Sequence, residues 1–260
     1  MRILLKPFQW LYCLYALVLF LTGMFIVIPF VAVFSLLQPP RGGNLIYKIC
    51  QAWDDAWLWL VGIRHVNIFE SPPDPGRHYV FVANHISYLD IPILLQSVRH
   101  QPFRVLGKAE LRKVPFFGYI YSRAVILVDR SNPDARSKSV RQLVRTLERG
   151  ISVFIFPEGT FNETGRPLKN FYDGAFRIAI ETGTPIRPIL FLDTFDRMHY
   201  STIFSLRPGS TRAIFLPEVS VEGLSLADLQ TLKDKVYRLM EDKLLQYHAS
   251  WIQPAPSPAA

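Results

Sequence analysis

The sequence has very few cysteines. Cys13 and Cys50 are the only two in 260 residues, and both lie in apolar segments. Without a C-x-x-C pair or a cluster of cysteines and histidines at metal-ligand spacing, the chain offers neither a disulfide scaffold nor a structural zinc site. We therefore expect both thiols to be inert packing groups and expect no disulfide, which is typical of a reducing compartment.

The sequence also contains no G-x-S-x-G segment. That segment forms the sharp strand-to-helix turn that carries the nucleophilic serine of many hydrolases. Its absence excludes that kind of serine chemistry. The exclusion covers a nucleophilic role for Ser87, although Ser87 lies only two residues after His85.

Charge is missing from Leu11 to Leu37, a run of 27 positions. About 20 apolar residues span the hydrocarbon core of a bilayer, and a signal peptide has a shorter apolar region and a small-residue cleavage site. We therefore expect a retained membrane segment. Pro29 lies inside the run and favours a kink, so a re-entrant hairpin competes with a straight span. Basic residues flank both ends, which mildly favours the hairpin.

A second apolar pattern follows the uncharged run and fits one face of a helix. The opposite face carries Asp54 and Asp55. Four of the five tryptophans lie in the first sixty residues, and indole rings favour the headgroup level of a bilayer. We predict an interfacial helix, with packing on a globular domain as the alternative. The apolar face comprises Leu45, Ile46, Ile49, Cys50, Trp53, Trp57, Leu60 and Val61.

The length of the chain limits the number of domains, and its charge limits the classes of partner. At 260 residues it holds one sizeable α/β domain and a short appendage. Its 29 basic and 21 acidic residues give a net charge of +8, which suits contact with anions. The uncharged run favours a membrane or a phosphorylated substrate over nucleic acid. The proline-rich stretch 71–76 separates membrane-associated helices over 1–70 from a domain over 77–250, and 251–260 is predicted to be disordered.

Beyond that boundary, short apolar runs alternate with helical patterns, which is typical of an α/β sheet with helical cover. We predict a mixed sheet flanked by helices, with the membrane-embedded or re-entrant helical segment at its N-terminal side. One helix is predicted over 132–149, ended by Gly150 in the usual cap position, and another carries an apolar stripe over 229–240. Strands are predicted at 79–83, 104–106, 124–128, 152–156, 186–192 and 213–216.

The segment from Asn84 to Asp90 places an imidazole and a carboxylate at a strand exit. The apolar run 79–83 precedes it, and a helical pattern begins at Asp90. Residues five apart on a continuous helix point about 140° apart, so His85 and Asp90 meet only across a strand-to-helix turn. There the carboxylate would fix the tautomer of the ring, and the other ring nitrogen would accept a proton from a hydroxyl. An ordinary turn histidine beside a helix-start acid is the alternative.

Three further clusters follow in order. Lys108 begins the first, which ends just past a strand at Arg130, where a guanidinium is well placed to bind a phosphate. The second, from Phe154 to Thr160, makes a tight turn after a strand, and Gly159 allows a ligand to approach the backbone. The third, 184–189, is a strand entry with two prolines. Each cluster taken alone has an ordinary structural explanation.

Taken in this order, N-H-x-x-x-x-D, D-R, F-P-E-G-T and x-P-I-x-P, the motifs resemble those of the 1-acyl-sn-glycerol-3-phosphate acyltransferase family, over about residues 78–190. The resemblance implies acyl transfer from acyl-CoA or acyl carrier protein to the sn-2 hydroxyl of lysophosphatidate at a membrane, without a metal or other cofactor. It implies His85 as general base and Asp90 as the holder of its ring. It implies acceptor binding by Arg130, Glu158, Gly159 and Thr160, and more weakly by Lys108.

The chain departs from the family pattern after Thr160, where an arginine often follows and Phe161 stands here. The departure motivates a second hypothesis, an acceptor such as lyso-ornithine lipid or a lysophospholipid with a full head group. Arg166, Lys169 and Arg177 lie near enough in sequence to compensate. A non-catalytic lipid-binding protein is a third hypothesis. Because the acyl donor is soluble, the catalytic face is expected to look into the cytoplasm from the inner membrane.

Overall fold

A seven-stranded sheet forms the centre of the protein, in a computed structural model that describes residues 6–72, 74, 76–129 and 132–253. Its strands are β1 (Ile63–Phe69), β2 (Val80–Ala83), β3 (Phe103–Lys108), β4 (Ile126–Val128), β5 (Ser152–Ile155), β6 (Ile186–Leu192) and β7 (Gly209–Phe215). They lie in the order β1-β7-β6-β2-β5-β3-β4. Only β6 and β7 pair antiparallel. The predicted mixed α/β sheet is confirmed.

Eight α-helices accompany the strands in the described part of the chain. They are α1 (Lys6–Phe34), α2 (Arg41–Leu60), α3 (Asp90–Ser97), α4 (Phe117–Ala124), α5 (Pro133–Glu148), α6 (Gly174–Thr182), α7 (Thr194–Arg197) and α8 (Leu229–Gln246). Three short 3₁₀ turns occupy Ala109–Lys113, Ile203–Ser205 and Leu226–Asp228.

Helices cover both faces of the sheet. Val80 and Val82 of β2 pack against α5, α6 and α8, while Phe81 packs against the layer formed by α1, α2 and α3. Successive side chains of a strand point to opposite faces. Because β2 is buried on both faces, its sequence is a continuous apolar run rather than an alternating one.

The carboxyl ends of β2, β5, β3 and β4 lie at one edge of the sheet, because these neighbouring strands are parallel. The segments that follow these strands therefore meet there. His85 follows β2, Glu158 follows β5, and Lys108 ends β3. In open α/β sheets ligands bind outside the carboxyl ends of the strands. The topology of the sheet therefore brings three of the predicted motifs together where a ligand is expected to bind.

The edge strand β1 was not predicted. It pairs in parallel with β7, from Ile63 opposite Gly209 to Phe69 opposite Phe215. Only Ile63 of the strand is fully buried, so the sequence carries a weak apolar pattern. β1 lies within 1–70, the part assigned above to membrane-associated helices. The sheet therefore begins before the predicted boundary at 71–76.

The first two helices form an antiparallel pair. α1 runs unbroken through Pro29, so a reversal inside the uncharged run does not occur; the chain turns only between α1 and α2. α2 then packs back along α1. The Tyr12 hydroxyl donates to the Val61 carbonyl at 2.6 Å, and the Trp57 indole donates to the Ala16 carbonyl at 2.8 Å. α1 is long and apolar enough to cross a membrane, and little of it is buried in the protein.

Packing of α2 on α1, α3 and α4 changes the predicted exposure of its polar face. Asp54, expected opposite the apolar face, is buried and accepts a 2.8 Å hydrogen bond from the Gln96 side chain of α3. Asp55 is exposed and pairs with Arg99 at 2.7 Å. The prediction was wrong for Asp54 because a helical wheel contains no information about the neighbouring helix. Both cysteines are buried and unpaired.

The helices on the other layer follow the sequence closely. α5 confirms the helix predicted over 132–149: Asn132 caps it by accepting the Asp134 and Ala135 backbone amides, and Leu143 and Leu147 are buried. The stripe predicted over 229–240 is buried in α8. The disorder predicted over 251–260 was wrong at its start, because Trp251 is buried in this layer and its indole donates to the Pro167 carbonyl at 3.3 Å. Arg130 and residues 254–260 lie outside the described residues, so the predictions made for them stay predictions.

Candidate functional site

His85 and Asp90 meet across the turn between β2 and α3. The His85 Nδ1 atom lies 2.9 Å from Asp90 Oδ2. A carboxylate accepts hydrogen bonds, so this contact assigns the ring proton to Nδ1 and leaves Nε2 with a free lone pair. Nε2 has no hydrogen-bond partner among the residues that the structure describes. The dyad predicted from a strand-to-helix turn is present in the geometry that it requires.

The turn itself holds Asp90 in place. The backbone amides of Ile86 and Ser87 donate to the same Oδ2 atom at 2.7 and 2.9 Å. The Asp90 side chain is fully buried, and its other oxygen, Oδ1, has no partner in the described chain. Three donors on one oxygen fix the carboxylate, and the carboxylate fixes the ring.

Two polar side chains anchor the turn to the rest of the sheet. Asn84 is buried and bonds the Phe191 backbone of β6 twice, accepting its amide at 2.8 Å and donating to its carbonyl at 3.1 Å. The Ser87 hydroxyl is buried and donates to the Met198 carbonyl. Ser87 therefore serves the fold of the turn, in agreement with the exclusion of a serine nucleophile.

Glu158 lies behind His85. Its Oε1 atom accepts the His85 backbone amide at 2.9 Å, and its Oε2 atom accepts the Lys169 backbone amide at 2.8 Å. The side chain is 1% exposed, and burial raises the pKa of its carboxyl group to about 8. The predicted contact of this residue with an acceptor phosphate is untested. The contacts that it makes in the structure join the F-P-E-G-T turn to the histidine turn.

The Glu158→Gln variant is expected to be less stable, because one of the two backbone amides would face a side-chain amide donor instead of an acceptor. A buried amide without its acceptor costs about 1–3 kcal/mol, which corresponds to roughly 2–10 °C in Tm. The folded-state pKa is raised, so the contribution of Glu158 is fully present below its ordinary pKa of 4.5 and is lost as pH rises through about 8. The difference in Tm between wild type and variant should therefore shrink across that window.

Thermal unfolding at a series of pH values measures this difference. The exposed Glu163, on the same loop, supplies the matched control variant Glu163→Gln, which should leave Tm unchanged at every pH. A Tm difference for Glu158→Gln that stays constant from pH 4.5 to pH 8 would contradict the assignment of a buried, protonated carboxyl.

Aromatic rings surround the histidine. The His85 ring stacks on Phe156 at 4.1 Å between centroids and lies 4.4 Å from Phe161, which in turn meets Tyr88 at 4.8 Å. Phe161 occupies the position where an arginine was expected. The Asn162 backbone amide donates to the His85 carbonyl at 2.7 Å. Phe161 therefore covers the histidine ring, and Asn162, the next residue, holds the backbone of His85.

A cation nevertheless reaches the Thr160 turn. The Lys169 ammonium group donates to the Thr160 hydroxyl at 2.5 Å and to the Phe161 carbonyl at 3.3 Å. Gly159, with φ of +74°, makes the turn possible. Of the three cations predicted to compensate, Lys169 is at the turn; Arg166 is exposed, and Arg177 lies on α6 beside Glu181.

An apolar cavity of about 930 Å³ opens beside His85. It lies between α1, α2 and α3 on one side and the segment from β3 to α4 on the other. Lys108 and Gly159 line it as well as His85, so these predicted residues share one space. Representative apolar lining residues are Leu17, Met24, Leu95, Ile120, Ala124 and Phe204. Such a volume and lining suit a ligand with a long apolar chain.

Several residues of the site were not predicted. Asn84 and Asn162 hold the histidine turn, and Phe156 stacks on the His85 ring. Asn84 and Phe156 are the first residues of two predicted motifs and Asn162 follows one of them, so their position was a usable signal. The partner of each one lies on a distant segment, and the sequence does not identify such partners.

Known proteins resemble this chain in sequence. A family model described as Acyltransferase matches residues 64–192. Over 169 residues the chain is 30% identical to a 1-acyl-sn-glycerol-3-phosphate acyltransferase of Salmonella typhimurium, covering 64% of this chain and 67% of that protein. Over 200 residues it is 29% identical to a lyso-ornithine lipid O-acyltransferase of Pseudomonas aeruginosa, covering 70% and 76%.

Other relatives are longer, and one structure shares the fold. The chain spans about half the length, 50%, of the chloroplastic 1-acyl-sn-glycerol-3-phosphate acyltransferase LPAT1 of Arabidopsis thaliana, which is 30% identical over 70% of this chain. The crystal structure of the 1-acyl-sn-glycerophosphate acyltransferase PlsC of Thermotoga maritima superposes with a TM-score of 0.69, covering 97% of this chain and 100% of that one. At 24% identity this likeness concerns the fold. On motifs, fold and sequence identity, the chain belongs to the 1-acyl-sn-glycerol-3-phosphate acyltransferase family.

Proposed function

We propose that the protein transfers a fatty acyl group from acyl-CoA or acyl carrier protein to the sn-2 hydroxyl of lysophosphatidate. The products are phosphatidate and the free thiol of the carrier, and the reaction belongs to phospholipid synthesis. The observation that carries the proposal is the His85–Asp90 pair, with Nδ1 and Oδ2 2.9 Å apart, beside an apolar cavity that His85 lines. We place the enzyme on the inner membrane with its site facing the cytoplasm, where soluble thioester donors are available.

The chemistry follows from the free lone pair on His85 Nε2. The acceptor hydroxyl gives its proton to Nε2 while its oxygen attacks the thioester carbonyl carbon. The tetrahedral intermediate then releases the sulfur, which takes the proton back from Nε2 and leaves as a thiol. A thioester is already activated, so this route uses one proton transfer and positioning and requires neither a covalent enzyme intermediate nor a resident cofactor.

Asp90 contributes charge as well as orientation. When Nε2 takes the proton, the ring becomes an imidazolium cation next to a fully buried carboxylate. Electrostatic interactions are stronger in a buried site than in water. Asp90 therefore stabilises the positive charge that develops on His85. The aromatic rings of Phe156 and Phe161 shield the His85 ring from water.

The cavity provides the binding energy for an acyl chain. Each buried methylene contributes about 0.8 kcal/mol. Ala124, the last residue of α4, lines the cavity, and a phenylalanine there would displace part of the chain. For Ala124→Phe we expect kcat/KM with long-chain donors or acceptors to fall by roughly 50-fold, the effect of about three lost methylenes, while short-chain substrates react normally.

Varying the donor chain with a fixed acceptor, and then the reverse, identifies which chain enters the cavity. Ala227→Phe, at an exposed position on the opposite layer, is the control and should leave every chain length unaffected. Equal losses for short and long chains in Ala124→Phe would count against an acyl site.

The Thr160 turn is the proposed site of the acceptor phosphate. Lys169 supplies an ammonium group there, and Lys108 and Arg130 are predicted further cations. For Lys169→Met we expect KM for lysophosphatidate to rise about tenfold with kcat nearly unchanged, since one charged hydrogen bond contributes about 1.5–3 kcal/mol. The KM for a monoacylglycerol, which has no phosphate, should not change. Lys138→Met on the exposed side of α5 is the control.

A second acceptor class has its own support. Phe161 replaces the expected arginine beside His85, and the relative from Pseudomonas aeruginosa is named for lyso-ornithine lipid. Thiol release measured with acyl-CoA and each acceptor in turn decides between them. Turnover with lysophosphatidate that is lost in His85→Ala supports the proposal. Turnover restricted to lyso-ornithine lipid would favour the second acceptor, and thiol release unaffected by His85→Ala would refute both.

A further inference from the structure

The segment that joins β3 to α4 ends in a rare backbone turn at Phe116. Its φ is +60° and its ψ is −54°, and the Phe117 amide donates to the Pro115 carbonyl at 2.6 Å. These values describe a γ-turn with positive φ at its centre, a strained conformation for a residue with a side chain. Strain of this kind persists only where the surrounding structure imposes it, and it occurs mainly at functional sites.

The surroundings do impose this turn. The Gly118 amide donates to the Val114 carbonyl at 2.8 Å, and a side chain on Gly118 would lie 2.0 Å from the Arg112 carbonyl oxygen. The 3₁₀ turn Ala109–Lys113 is thus fixed against the start of α4. Hydrogen bonds and close packing therefore hold residues 111–116, which we call the projection.

The projection presents apolar side chains outward. Phe116 is 59% exposed, Val114 is 43% exposed and Leu111 is 41% exposed. Phe116 has one aromatic contact among the described residues, with Phe25 of α1 at 5.0 Å, and Phe25 is itself half exposed. The projection therefore extends the apolar surface of the helix that is long enough to cross a membrane.

Two of these side chains also line the cavity beside His85, and Phe116 and Phe25 lie next to them. Leu111 and Val114 line it from the projection, and Leu21 lines it from α1. We call Leu21, Phe25, Leu111, Val114 and Phe116 the portal patch. A lipid chain that moves between a bilayer and the cavity has an apolar path across this patch.

Charges on the projection suit an anionic bilayer. Arg112 and Lys113 are exposed between Leu111 and Val114, and Glu110 is the acid of the same 3₁₀ turn. Apolar side chains interleaved with cations are the pattern of interfacial membrane binding, in which the apolar groups enter the acyl boundary and the cations meet anionic head groups.

We propose that the projection 111–116 is a second membrane-binding element, which inserts beside α1 and carries lipid chains across the portal patch to the cavity. The proposal rests on the proposed function for its substrate and adds the place where the substrate enters. Its partner is a phospholipid bilayer that contains anionic lipid.

An environment-sensitive dye tests insertion directly and without catalysis. Cys13 and Cys50 are buried, so a thiol-reactive dye labels Phe116→Cys selectively in the full chain. On vesicles of phosphatidylcholine with phosphatidylglycerol, we expect lipid-borne quenchers to reach the dye and aqueous quenchers to lose access. The same dye on Leu245→Cys, an exposed apolar position on α8, should stay accessible to water. Equal aqueous access at both positions would overturn the proposal.

The Phe116→Gly variant separates this role from folding, because glycine adopts positive φ without strain. Its Tm should equal or exceed that of wild type, while KM for acceptor presented in vesicles rises about tenfold. Phe116→Leu should restore the wild-type KM. If Phe116→Gly left the KM for acceptor in vesicles unchanged, the proposed path of the lipid across the portal patch would be wrong. Dye insertion in a protein that releases no thiol with any acceptor would refute the proposed function and leave the membrane element standing.

Discussion

Replacing His85 with alanine is expected to lower kcat by about 10²–10⁴-fold, the range that positioned general base catalysis contributes. The variant keeps the turn, because Asp90 still accepts the amides of Ile86 and Ser87 and Glu158 still accepts the amide of residue 85. Thiol release under saturating acyl-CoA and lysophosphatidate measures the effect. KM should change little, since the imidazole takes a proton rather than holding the lipid.

His100→Ala provides the comparison for that measurement. His100 is exposed at the end of the α3 segment and has no described contact with the site. Its variant should keep wild-type kcat. If His85→Ala retained kcat within a factor of two or three while remaining folded, the base would lie elsewhere and the proposed mechanism would fail.

The sequence predicted the dyad because its two parts are local. A buried strand, a turn and a helix start lie within twelve residues, and the only way to bring His85 to Asp90 is across the turn. Both strand and helix have strong apolar patterns that decide their type. The predicted contact between the two side chains needed no other segment, whereas the choice of a catalytic base over an ordinary turn histidine depended on the motifs further along the chain.

The surroundings of the dyad depend on distant segments, so they were not predictable in the same way. Glu158 was predicted in a tight turn after a strand, with a role in acceptor binding. The structure buries its side chain against the backbone of His85, 73 positions earlier in the chain. Asp54 was placed on an exposed face, and Gln96 of another helix covers it. In both cases the local secondary structure was predicted correctly, and a contact with a distant segment buried the side chain.

The strand β1 shows a third kind of limit. Its residues alternate weakly, because an edge strand is covered on few sides and tolerates polar side chains such as His65 and Asn67. Its parallel partner β7 lies about 140 positions later, so no hairpin signal marks the pair. Only the completed sheet shows that the domain begins at Ile63.

Replacing Asp90 with asparagine should lower kcat by about 10²–10³-fold without unfolding the turn. The Ile86 and Ser87 amides need an acceptor, so they hold the new side chain with its carbonyl oxygen in place of Oδ2. That oxygen still accepts the Nδ1 proton, and the ring keeps its tautomer. What disappears is the negative charge beside the imidazolium, and a buried charge pair interacts strongly. The loss in kcat therefore measures electrostatics separately from orientation.

The alanine variant at the same position completes the test. Asp90→Ala leaves two buried backbone amides without an acceptor, at about 1–3 kcal/mol each, so both Tm and kcat should fall. Asparagine should preserve Tm to within a few degrees and lose only kcat. If asparagine retained the wild-type kcat, Asp90 would act only as the anchor of the turn. If asparagine and alanine lost the same kcat with Tm unchanged in both, the three hydrogen bonds to Oδ2 would have no part in holding the histidine.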